Sequence, residues 1–137
     1  MGRLGAFTVM IVRHNIEVAH RLYEMSGKCE QIHGHSMHVE LLLEGYLGPR
    51  GVIHTYISGQ PLEFGQVKKA FRGFLDITFD HHLLLNENDP FARPLRVPSE
   101  PVPVPDIRQG LRTQTQYLPG LQPMPGDPTT ENIALWI

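Results

Sequence analysis

The sequence predicts an α+β fold, and three kinds of segment carry that prediction. β-Branched and apolar residues at Ala6–Val12, and strict alternation at His33–Gly45, have the period of strands. Phe64, Val67, Phe71, Phe74 and Leu75 recur at helical spacing and form a stripe suited to packing on a sheet. Near the end, Thr129 or Thr130 caps a helix that opens Glu131-Asn132-Ile133-Ala134.

Taken in order, Ala6–Val12 is a strand, the chain turns near Arg13–Asn15, and Ile16–Ala19 continues extended. Leu22–Cys29, with Ser26-Gly27 inside it, is a loop. His33–Gly45 sets Val39, Leu41 and Leu43 on one face, against His38, Glu40, Leu42 and Glu44 on the other. Gly48-Pro49-Arg50-Gly51 is turn chemistry, and Val52–Ile57 returns as the partner strand of a hairpin. The helix stripe comes next, followed by Asp80–Asn86 and the turn Asn88-Asp89-Pro90. Pro90–Pro128 holds ten of the twelve prolines. Proline fixes φ and donates nothing to a ladder, so this stretch should add no strand to the central sheet. Lying between Asp80-His81 and Glu131, it should lie over or beside the mouth of the site or meet a neighbouring subunit, the alternative being a mobile surface insertion.

Composition narrows the function. At 137 residues, 41% hydrophobic and 19% charged, the chain suits one domain, 1–137, with a proline-rich insertion at about 90–128. A formal net charge of −2 supplies no basic surplus for nucleic acid or an anionic membrane. No apolar run has the length of a membrane span, and Met1-Gly2-Arg3-Leu4 opens no secretory signal. The cytoplasm is the expected compartment. The single cysteine, Cys29, rules out an intrachain disulfide framework.

Eight histidines are many for this length, and their spacing gives them meaning. In a strand, His33 and His35 point to one face, so their imidazoles converge, and Gly34 leaves room behind them. Catalytic zinc takes three protein ligands and keeps an open position, and His20, closing the preceding strand, can be the third. His38 falls on the opposite face, while His14 and His54 have no partner pattern. Cys29, four residues before His33, reads as a base or nucleophile activated by a nearby cation, as a fourth metal ligand, or as a small buried hydrophobe. Asp80-His81 reads as a carboxylate that fixes an imidazole for general acid work, or as a helix C-terminal histidine beside a turn aspartate.

The order of these pieces carries a resemblance. Ile16-Glu17-Val18-Ala19-His20, Cys29-x-x-x-His33-Gly34-His35, Gly59-x-x-Leu62-Glu63-Phe64, Asp80-His81, Leu85-x-x-x-Asp89-Pro90 and Pro128-Thr129-Thr130-Glu131-Asn132 together resemble the 6-pyruvoyl-tetrahydropterin synthase family. The Cys-x3-His-x-His spacing is similar to its bacterial branch, the 6-carboxy-tetrahydropterin synthases of queuosine (7-deazapurine) synthesis. The resemblance implies zinc on His20, His33 and His35, catalysis by Cys29 with Asp80 and His81, and pterin binding near Thr130 and Glu131. It implies a tunnelling fold: an antiparallel four-stranded sheet with two helices on one face, assembled as a homo-oligomeric barrel (trimer or hexamer). The implied reaction is lyase chemistry on 7,8-dihydroneopterin triphosphate, a small-molecule substrate. Carbon–carbon cleavage occurs in the 6-carboxy branch, and loss of triphosphate alone in the 6-pyruvoyl branch.

The sequence departs from the family pattern in four places. Met37 stands where an aromatic is usual, and Glu63 replaces an aspartate. The stretch Pro90–Pro128 is long, and the sequence ends before the strand whose glutamate grips the pterin, so the C-terminus reads as incomplete. Two readings of other classes accompany the enzyme: an inactive zinc-binding relative, and a cupin-like barrel. Gly27-x5-His33-x-His35-x4-Glu40 fits the first half of a cupin motif, but no histidine follows His82 to supply the second.

Overall fold

The first strand, β1, runs without interruption from Phe7 to His20. The computed structural model describes residues 5, 7–56, 58–92, 102–106, 110–114 and 120–137, with 102–106 and 110–114 described by their backbone alone. The expected turn at Arg13–Asn15 does not form, because its polar residues are satisfied from neighbouring elements. Arg13 Nε meets Glu40 Oε1 at 2.6 Å, His14 Nε2 meets Asp76 Oδ1 at 2.6 Å, and His38 Nδ1 is hydrogen-bonded to Asn15 Oδ1. Alternation therefore persists through the segment, with Val12, Ile16, Val18 and His20 buried on one side.

Six further strands and two helices follow among the described residues: β2 (His33–Leu47), β3 (Ile53–Thr55), α1 (Phe64–Thr78), β4 (His82–Asn86), β5 (Val102–Asp106), β6 (Gly110–Gln114), β7 (Leu121–Met124) and α2 (Thr130–Trp136). The hairpin expected after Gly48-Pro49-Arg50-Gly51 is present, with β2 and β3 antiparallel and Tyr46 opposite His54. Its strands approach closely at Gly45, where a Cβ would lie 2.3 Å from the His54 carbonyl oxygen. No described helix is long and apolar enough to cross a membrane.

The α+β class holds, but the sheet differs from the four antiparallel strands expected. Five strands hydrogen-bond in the order β3-β2-β1-β4-β7, and β1·β4 and β4·β7 are parallel. β4 is entered from α1, the kind of crossover that parallel neighbours require. It is built on the run Leu83-Leu84-Leu85, with Leu84 and Leu85 fully buried, so it lacks the alternation that marks a half-exposed strand.

β7 corrects a second expectation, that Pro90–Pro128 adds nothing to the central sheet. Leu83 N–H donates to Gly120 C=O and Glu87 N–H to Met124 C=O, so the even-numbered groups of β7 face β4. The nitrogen of Pro123 then faces away, toward the sheet edge, where a missing donor costs no ladder bond. β5 and β6 form a separate antiparallel pair. The placement expected for the rest of the stretch, over the site or against another subunit, falls largely outside the described residues.

By contacts the chain forms two compact units, Met1–Ile16 with Ser36–Asp80, and Glu17–His35 with His81–Ile137. In the first, Glu63 caps α1 by accepting from Gly65 N–H and Gln66 N–H, and Arg72 donates to the Arg13 carbonyl. Of the expected stripe, Phe71 and Leu75 are buried, whereas Phe64 and Phe74 are exposed; Phe79, just past the helix, is buried as well. In the second, Leu85, Ala92 and Leu121 form a core cluster with Leu83 against it. Thr129 caps α2, its Oγ1 accepting from Asn132 N–H at 3.2 Å.

Candidate metal centre

The second unit brings His20, His33 and His35 together. Their ring centroids are 4.5, 5.0 and 4.9 Å apart, and one ligand atom from each lies within 4.8 Å of the others. Strand geometry does this: β1 delivers His20 at its last residue, and β2 begins at His33 with His35 two positions on, on the same face. Gly34, between them, lies against β1, and a Cβ there would stand 3.3 Å from the Val18 carbonyl oxygen.

Hydrogen bonds set which nitrogen two of the rings offer. A carbonyl oxygen only accepts, so His20 Nδ1 carries the proton in its 2.8 Å bond to Pro128 C=O, and Nε2 keeps a lone pair. That Nε2 is buried and has no hydrogen-bond partner. His33 Nδ1 likewise donates to Gln31 C=O at 2.7 Å, leaving its Nε2 as the acceptor. Burial holds His20 below the usual histidine pKa; the bond to Pro128 opposes this, and nearby His33 and His35 add to it. Imidazoles whose Nδ1 is backed by a carbonyl acceptor, as in His20 and His33, turn Nε2 toward a histidine-bound transition metal. An orphaned buried nitrogen costs stability unless something takes its lone pair, so the residues present fit an ion.

The other residues singled out in the sequence are placed as follows. Cys29 is exposed on a single 3-10 turn, Lys28–Glu30, its carbonyl accepting from Leu22 N–H at 2.8 Å, and it stands outside the set of mutually close ligand atoms. Asp80 ends the first unit, its amide bonded to the Leu75 carbonyl. His81 opens the second with φ +59°, left-handed for a non-glycine residue, and its N–H donates to Glu17 C=O at 2.7 Å. Thr130 and Glu131 are exposed in the first turn of α2, two and three residues past the carbonyl that holds His20. Glu40, needed by the cupin-like reading, is engaged by Arg13 and belongs to the unit without the cluster.

Sequence reasoning gave no role to several buried charged residues of the same unit. Asp127 is buried, and its carboxylate accepts from Glu24 N–H at 2.9 Å and from Asn86 Nδ2 at 3.1 Å. Arg21, next to His20, pairs with fully buried Asp89 at 2.8 Å and lies over the Phe91 ring. Their types carried a signal, since carboxylates are rarely buried without a partner, but their partners are distant in sequence.

A sheet with two helices, and three converging histidines of which His20 is buried, His33 half-buried and His35 exposed, define an α+β protein with a candidate metal site. Comparison places it more closely. The profile of the 6-pyruvoyl tetrahydropterin synthase family matches residues 10–137, and the chain belongs to that family. A Rickettsia bellii protein named 6-carboxy-5,6,7,8-tetrahydropterin synthase is 26% identical over 123 residues, covering 90% of this chain and 72% of that protein. A Rickettsia conorii protein of the same name is 29% identical over 77 residues, 56% of this chain and 51% of the relative. The crystal structure of an uncharacterized protein from Wolinella succinogenes shares the fold, with TM-score 0.65 and 20% identity over 96% of this chain and 81% of that one.

Proposed function

We propose that this protein is a zinc-dependent lyase acting on 7,8-dihydroneopterin triphosphate, a 6-carboxy-5,6,7,8-tetrahydropterin synthase serving 7-deazapurine (queuosine) synthesis. The observation that carries the reading is the convergence of three imidazoles, one with a buried and unpartnered Nε2, in a member of this family. The 6-carboxy branch is favoured by the Cys29-x3-His33-x-His35 spacing and by the names of the Rickettsia relatives.

His20, His33 and His35 would hold the zinc, and the ion would supply Lewis acidity toward substrate hydroxyls. The remaining chemistry belongs to the chain. Cys29, exposed on its turn, takes a proton from the substrate side chain as the thiolate. His81, oriented by Asp80, moves protons on the opposite face of that side chain. Thr130 and Glu131, exposed where α2 begins, hold the pterin.

The test is product analysis after incubating zinc-loaded protein with 7,8-dihydroneopterin triphosphate. Acetaldehyde and triphosphate released in equal amounts, with a 6-carboxy pterin, is the expected result. Triphosphate without acetaldehyde would move the protein to the 6-pyruvoyl branch, and no turnover would make it a zinc-binding relative. Cys29→Ala should abolish turnover while zinc stays at one per chain; a variant that loses its zinc would make Cys29 a ligand and sink the mechanism.

A further inference from the structure

Asp127 is where three chain segments of the second unit meet. Its Oδ2 accepts from Glu24 N–H, in the loop between His20 and Cys29, and its Oδ1 accepts from Asn86 Nδ2, at the end of β4. Its own carbonyl accepts from Thr129 N–H and from Asn132 Nδ2, both 2.8 Å, which ties it to the first turn of α2. Between Asp127 and the cap Thr129 lies Pro128, fully buried, whose ring removes most of the φ freedom of that residue. The carbonyl of Pro128 receives the proton of His20 Nδ1. The four bonds made by Asp127 therefore hold the acceptor that selects the His20 tautomer. Through Glu24 the same carboxylate also steadies the loop leading to Cys29.

We propose that Asp127 is a positioning residue for the metal centre: it holds the Pro128 carbonyl so that His20 carries its proton on Nδ1 and presents Nε2 to the ion. The proposal rests on reading the three imidazoles as metal ligands. Chemistry makes the carboxylate specific. Both its oxygens accept, whereas an amide at 127 must point a donor at either Glu24 N–H or Asn86 Nδ2, and donor then faces donor. Exchanging the two residues removes that conflict. In the double variant, Asn86→Asp with Asp127→Asn, the new amide at position 127 accepts from Glu24 N–H and donates to the new carboxylate at position 86. That carboxylate still accepts the Asn88 N–H, which Asn86 Oδ1 receives at 2.9 Å in the wild type.

Two measurements on the full chain test this. The first is the His20 tautomer in metal-free protein, read from imidazole 15N shifts. The second is the zinc dissociation constant, read by competition with a chromophoric chelator. Asp127→Asn should shift His20 toward the Nε2-protonated form and weaken zinc binding about tenfold to a hundredfold, the usual cost of losing support behind a ligand. The double exchange should restore the wild-type tautomer and bring affinity back to within about threefold. A tautomer and affinity unchanged in Asp127→Asn would overturn the proposal. Should that variant fail to fold, the exchange decides alone, and an exchange that misfolds, or folds without the wild-type tautomer and affinity, also overturns it. If wild type takes up no zinc, the metal reading fails separately, because the tautomer measurement needs no metal.

Discussion

Desolvation works on His20 in the direction a metal ligand needs, since it disfavours the imidazolium that would repel a cation. The same shift has a consequence for the metal-free protein. Unfolded, His20 takes a proton as pH falls below about 6.5; folded, it resists until a lower pH. The unfolded state therefore binds more protons within that window, and stability falls as pH drops through it. One proton can contribute at most about 1.4 kcal/mol per pH unit. Urea unfolding of chelator-treated protein between pH 7.5 and 5 should show this loss, and His20→Ala should show a shallower one. Equal slopes would mean that His20 is not held neutral. The three converging histidines were legible in the sequence because His33-x-His35 obeys a period of two and His20 ends a strand. Pro128, Asn86 and Asp127 were not, because their bonds join residues 108, 41 and 103 positions apart.

Elements were legible where one side chain face is exposed. β2 and α1 show clean periods, and both appear within a few residues of their expected bounds. β4 and β7 escaped, since a leucine run buried throughout has no alternation and Pro123 argues against a strand until the edge is known. Arg13–Asn15 misled in the opposite sense, because turn-forming residue types were partnered across strands. The turn from α1 into β4 belongs to this scale. Its His81 is left-handed, a conformation that costs a non-glycine residue roughly 1–3 kcal/mol and is often kept for function. Comparing His81→Ala with His81→Gly separates backbone from side chain, since both delete the imidazole. The glycine variant should be more stable than the alanine variant by about 1 kcal/mol, and both should lose turnover by 10²-fold or more, roughly the contribution of a general acid. A glycine variant that keeps turnover would remove His81 from the mechanism.

For the whole molecule, exposed apolar surface is the feature that asks for a partner. Phe7 is 62% exposed, Val9 and Ile11 are each 42% exposed, and Leu42 is 55% exposed, all in the first unit. Apolar side chains gathered on two neighbouring strands, β1 and β2, are costly to leave in water, and a symmetric assembly would cover them. We therefore propose a homo-oligomer, a trimer or a pair of trimers. Light scattering at micromolar concentration should give a mass of three or six chains, with Ile11→Asp shifting it toward one; a stable wild-type monomer would refute this. The central claim, an open three-histidine zinc site beside a catalytic thiol, is met most directly by X-ray absorption at the zinc edge of the stoichiometrically loaded protein. The account predicts a first shell of nitrogen and oxygen only, at about 2.0–2.2 Å, with three imidazoles. A sulfur scatterer at about 2.3 Å would contradict it, by turning Cys29 into a ligand and the open site into a closed structural one.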